Sequence, residues 1–188
     1  MKHVKMLGLL VMAAASLMAF ASSASAAPTL TAPKAGEEYT GTLTATLTGS
    51  ALLKAGIEDT CTGSSVSGTV GTNNETHAKG SVAKTGLTFT SCTKDTVVLA
   101  GGELTIAPSG TVTATGFEVT VNDTALGVSC VYGATTGLTL GTLTPGTTAK
   151  LAISTTKLKK VSGPFFCASE GTWTANYTVT TPDTLLLS

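Results

Sequence analysis

Along much of this chain a threonine and an apolar residue take turns. In "TGTLTATLT" (residues 40–48) every even position is threonine, and the odd positions are Gly41, Leu43, Ala45 and Leu47. Successive side chains of a strand point to opposite faces. The run therefore predicts an antiparallel strand with one apolar face and one hydroxyl-bearing face. "TGLTFTSC" (85–92) repeats the pattern, with Leu87 and Phe89 on one side and Thr88 and Thr90 on the other. "TVTATGFEVTV" (111–121) begins with Val112 and Ala114 in phase and continues with Phe117, Val119 and Val121 in the opposite phase. A bulge or tight turn at Thr115-Gly116 would restore one face, and glycine suits either. "GLTLGTLT" (137–144) slips in the same way at Gly141.

Further strands are predicted near residues 66–70, 97–107, 128–132, 150–154 and 172–180. Turn signals separate them at Asn73-Asn74, Gly101-Gly102, Pro108-Ser109-Gly110, Pro145-Gly146 and Ser162-Gly163-Pro164. The one helical candidate is the short "SALLKAGIED" (50–59), and "TLLLS" at the end reads as a final strand or tail. About ten short strands with regular turns predict an all-β fold, a single antiparallel β-sandwich or Greek-key barrel over residues 27–188. In the stretch "FFCASEGTWTANYTVTTP" (165–182), Trp173, Ala175, Tyr177 and Val179 share a face. They read as core, with a ligand platform as the competing reading.

The first residues stand apart from this pattern. Lys2, His3 and Lys5 precede the apolar "MLGLLVMAAASLMAFA", and "SSASAAP" follows. Ala24-Ser25-Ala26 fits the small-x-small rule, so residues 1–26 are expected to be a signal peptide cleaved after Ala26. The apolar run is shorter than the roughly 20 residues of a membrane span, and no later segment is longer, so no transmembrane segment is expected. The expected location is secreted or associated with the cell surface.

Composition narrows the partners. Threonine occurs 38 times and arginine is absent. Charged residues make up 12% of the chain, against about 25% in an ordinary globular domain. Without arginine or a basic patch, nucleic acid is excluded as an expected partner.

Cys61, Cys92, Cys130 and Cys167 lack the C-x-x-C spacing of zinc and redox sites, and an even count in an exported chain predicts structural disulfides. Three connectivities are open, and the pairs Cys61–Cys92 and Cys130–Cys167 are favoured. No catalytic, cofactor-binding or metal-ligating residue is assigned. His77, in "TNNETHAKG", reads as a residue of a polar loop tip. "SVAK" (81–84) and "STTK" (154–157) fit S-x-x-K and "KTG" occupies 84–86, but Lys84 cannot serve two motifs that come from separate elements. Glu37-Glu38 and Glu58-Asp59 read as solvated charge, and "KLKK" (157–160) as a loop that keeps an edge soluble. Asn74, Asn122 and Asn176 head glycosylation sequons of the kind abundant threonine produces by chance. T-x-T rows invite comparison with ice- or lattice-binding faces, but their starting positions keep no fixed interval, which a solenoid requires.

One order of features resembles a known group. A leader precedes "GIEDTCTGSSVSGTV", "GLTFTSC", "GTVTATGFEVTV" and "GVSCVYGATTGLTLGTL", and a last cysteine sits in "PFFCASEGTW". This layout is similar to exported bacterial β proteins whose named relatives form the alkane-oxidation activator family. The resemblance implies an extracellular protein that assists growth on hydrocarbons by coating or emulsifying droplets, and it implies no catalytic residues. The expectation is thus a non-enzymatic exported protein acting at the cell surface or in the matrix by binding or self-association. The alternative is a binding module for an apolar or carbohydrate ligand.

Overall fold

A computed structural model describes residues 27–188; the expected signal peptide and its cleavage site lie outside the described residues. The chain forms β1 (Leu30–Thr31), β2 (Thr42–Leu47), β3 (Ala51–Lys54), β4 (Glu58–Asn73), β5 (Ala78–Val82), β6 (Leu87–Cys92), β7 (Asp95–Ala100) and β8 (Gly102–Ile106). It continues with β9 (Thr111–Thr115), β10 (Phe117–Asp123), β11 (Val128–Ala134), β12 (Leu138–Thr144), β13 (Lys150–Ser162), β14 (Glu170–Thr181) and β15 (Leu186–Leu187). The fold is all-β: among the described residues the one helical piece is a single 3-10 turn at Lys84–Gly86.

Of the expected β-sandwich or Greek-key barrel the closed barrel forms, but without a Greek-key crossing, because the ladders join strands in the order of the chain. β2, β4, β5, β8, β9, β12, β13 and β14 pair antiparallel in that order, and β14 returns to β2. These eight strands make a barrel whose order around the wall follows their order in the chain. Closure leaves no free edge in this ring. β1 and β15 pair across the barrel end that carries the β4–β5 turn. The Asn73 side chain pins that cap: its Nδ2 donates to the carbonyls of Leu30 and Tyr39, and its Oδ1 accepts from the Leu30 N–H.

Three strands outrun the barrel. β4 has 16 residues, β13 has 13 and β14 has 12, about 40–50 Å of extended chain. Their outer halves build a second ring. There β3 lies between β14 and β4, β6 pairs with β4, β11 with β13, and β10 links β11 to β7. β6 and β7 lie side by side, joined by the Thr93-Lys94 turn, yet no ladder forms between them. The second ring is therefore open along one seam.

The phase slips fall where the sequence places them. Gly116, at φ +87°, turns the corner between β9 and β10, a conformation that favours glycine. At Gly141 the β9–β12 register shifts, and a Cβ there would collide with the Ala152 carbonyl. Two expectations are corrected. Residues 50–59 form not a helix but β3, a turn and the start of β4, because pairing with β14 and β4 outweighs the helical preference of "ALLKA". "KLKK" lies not in a loop but inside β13, paired with β11 and β14.

Two disulfides staple the second ring. Cys61–Cys92 joins β4 to β6, and Cys130–Cys167 joins β11 to the loop after β13, which is the favoured pairing. The main apolar cluster fills the barrel, and a second one, holding Tyr132, Leu158, Cys130 and Cys167, fills the other ring. Trp173 packs against both.

Candidate functional site

The strongest candidate lies where the two rings meet. Small inward side chains from β3, β9 and β11 meet there. Ala51, Ala114 and Ala134 supply methyl groups where longer side chains would fill the space, and an apolar cavity of about 70 Å³ remains. Leu53, Phe89, Val119, Leu158 and Trp173 form much of its wall. Cavities of this character stay free of water, because a water needs several polar partners. β6, the strand of Leu87 and Phe89, and β7, the strand of Thr96, are the two that flank the seam.

The polar atoms near the cavity are already engaged. The Tyr132 hydroxyl shares its one proton between the carbonyls of Ala55 at 2.8 Å and Ala168 at 3.0 Å. The Tyr177 hydroxyl lies 2.9 Å from Ser64 Oγ. Burial pushes the Tyr177 phenol up to about 12, opposed by the Ser64 hydrogen bond. Burial also raises Tyr132. Both groups stay neutral and hydrogen-bonded, so neither is poised for proton transfer near neutral pH.

Asp59 closes one end of the cavity, and its placement corrects an expectation. It is 2% exposed rather than solvated. Its Oδ1 accepts from Thr93 Oγ1 at 2.9 Å and from the Lys94 N–H at 2.8 Å, and its Oδ2 accepts from Thr96 Oγ1. Cys61 Sγ lies 3.6 Å from Oδ2, but a sulfur already bonded to Cys92 has no proton to donate. Asp59, Cys61 and Cys92 gather their donor atoms within 4.8 Å. With both sulfurs joined, the carboxylate is the one anionic donor of the three. The Asp59 interactions fix the β6–β7 turn, which is a structural task. Its neighbour Glu58 points outward and meets Lys54 at 3.3 Å.

The other singled-out residues do not converge on the cavity. His77 lies in the β4–β5 turn beside Thr76, and Asn74 Oδ1 caps the same turn. Ser81, Lys84, Ser154 and Lys157 are exposed, as are Glu37 and Glu38. Outward threonines line up across neighbouring strands, Thr46 beside Thr178 and Thr105 beside Thr113, but they wrap the curved wall of a barrel. Trp173 faces inward as its alternation predicts and lines the cavity half-buried. Sequence reasoning missed Asp59 and the exposure of Phe165. The signal available for Phe165 was its place after the Gly163-Pro164 turn. Comparisons with family models, curated proteins and solved structures find no match for this chain.

Proposed function

We propose that this chain is an exported, non-enzymatic binding protein that holds a small apolar molecule in its interior. The apolar cavity between the two rings carries the reading. Its size suits an alkyl chain end or another apolar group smaller than benzene, since it is about half of the roughly 150 Å³ of an engineered apolar cavity that takes benzene. The seam between β6 and β7 is the natural way in, because opening it breaks no ladder hydrogen bond. A sugar is the weaker ligand, because the lining tyrosine hydroxyls are spent on protein partners. Export, with action at the cell surface or in the matrix, rests on the leader and on the two disulfides. The resemblance of the layout to the alkane-oxidation activator family points to the same apolar chemistry.

Trp173 is the one tryptophan of the chain, and it reports directly on the cavity. Titrating the protein with propane or n-butane is expected to change Trp173 fluorescence saturably and to raise the melting temperature. Ala114→Leu, which fills the cavity, is expected to abolish both responses while the circular dichroism of the strands is kept. A wild-type protein that responds to neither compound up to their solubility limits overturns the reading.

A further inference from the structure

A second feature lies on the outside of the molecule. The loop between β13 and β14 carries Phe165 at 93% exposure and Phe166 at 49%, their rings edge to face with centroids 5.1 Å apart. Leu126, in the β10–β11 turn, is another exposed apolar side chain, at 71%. Large apolar side chains clustered in water mark an interaction site, whereas one alone is ordinary. The loop is also held rigid. Cys167 ties it to Cys130, the Cys167 N–H donates to the Pro164 carbonyl, and the Ala168 N–H donates to the Ala55 carbonyl.

The charge beside the rings is mostly positive, with three lysines against Glu170, the cross-strand neighbour of Lys159. From residue 157 to 168 the chain holds three lysines and no acid. Lys160 Nζ donates to the Cys167 carbonyl at 3.1 Å, which puts an ammonium directly behind the rings. Glu170 lies 3.9 Å from Lys157, and among the described residues no carboxylate is within ion-pair distance of Lys159 or Lys160. The shape is a protruding knuckle, not a groove. It suits insertion into a soft layer, with rings below the headgroups and ammonium groups at their level.

We propose that the Phe165-Phe166 knuckle, with Lys160 behind it and Lys159 on the adjoining strand β13, docks the protein on an anionic phospholipid surface. The rings supply apolar contact and the lysines supply attraction to the headgroups. The disulfide-pinned loop has little conformational freedom left to lose on docking. The inference does not depend on what the interior holds.

Flotation of the intact, oxidised protein with vesicles tests it. Wild type is expected to float with vesicles of phosphatidylcholine containing a minor share of phosphatidylglycerol and to be released by high salt. Phe165→Ser/Phe166→Ser is expected to lower binding by about tenfold or more, and Lys159→Gln/Lys160→Gln by about fivefold per lysine. The melting temperature and a free-thiol count check that each variant is folded and oxidised; should the double serine variant unfold, Phe165→Ser alone carries the test. Three results overturn the proposal: no flotation of wild type, equal flotation of the folded phenylalanine variant, or equal binding to pure phosphatidylcholine vesicles.

Discussion

Trp173 of β14 and Phe89 of β6 meet edge to face across the cavity, ring centroids 6.3 Å apart and planes at 69°. β6 has one ladder partner, β4, so this contact ties its inner face to the opposite wall. Trp173→Ala is expected to destabilise the protein by about 3 kcal/mol, the lower end for deleting a large aromatic, because the ring is only partly buried. A double-mutant cycle with Phe89→Ala should give a coupling of about 0.5–1.5 kcal/mol. Guanidinium unfolding of the four proteins measures it, and strictly additive losses would show that the pair does not hold the seam strand.

The two disulfides close stretches separated by 31 and 37 residues. By the chain-entropy relation each contributes roughly 3.5–4 kcal/mol, a large part of the 5–15 kcal/mol that typically separates folded from unfolded states. Both sit in the second ring, one at the β6 seam strand and the other behind the exposed phenylalanines. Replacing either pair by serine should lower the denaturation midpoint by a similar amount. A pair whose removal leaves the midpoint unmoved is not stabilising the fold.

The parts of this fold that were legible in the sequence are local. Alternation placed Ala175, Tyr177 and Val179 on the buried face, and the slips at Gly116 and Gly141 marked the corner and the bulge. Trp173 faces inward by the same alternation. The unread parts depend on pairing between distant segments. Residues 50–59 became strand because β14, more than a hundred residues later, pairs with them. Asp59 is buried because Thr93, Lys94 and Thr96 fold back over it. The cavity and the seam arise from long strands passing from one ring to the next, which no window of alternation reveals.

Asp59 satisfies three donors in a site from which water is nearly excluded. Asp59→Ala leaves those donors without a partner and is expected to cost about 3 kcal/mol. Asp59→Asn keeps one oxygen acceptor but turns an NH2 group toward a hydroxyl, so it should cost less. Faster amide exchange at Lys94 in the alanine variant would locate the damage in the β6–β7 turn. Unchanged exchange there would contradict this account.

Acid should loosen the neighbouring hairpin. The Lys94 ammonium, 2.7 Å from Asp123 Oδ2, holds that carboxyl below its usual 3.8. Burial acts in the opposite direction, and the N–H groups of Leu126 and Ala125 reinforce the lowering. The native state therefore binds this proton more weakly than the unfolded chain. The contribution is present above pH 3.8 and is lost as pH falls through the lower native value. Denaturation midpoints followed down through this range should fall less steeply for Asp123→Asn than for wild type, and parallel curves would remove Asp123 from the acid response.

Alkali should act through Tyr177. Its phenol rises from 10.0 to about 12 because burial disfavours the phenolate. Below pH 10 both folded and unfolded states keep the proton, and the group adds no pH dependence. Between about 10 and 12 the unfolded chain has lost a proton that the native state retains, so stability falls as pH rises, by about 2–3 kcal/mol across the window. Phenolate absorbance should therefore appear late and together with loss of strand dichroism. Tyr177→Phe leaves the buried Ser64 hydroxyl without its partner, a loss of about 1 kcal/mol at neutral pH. In exchange it should shift the alkaline midpoint upward. A variant that unfolds in alkali at the same pH as wild type would show that another group governs the transition.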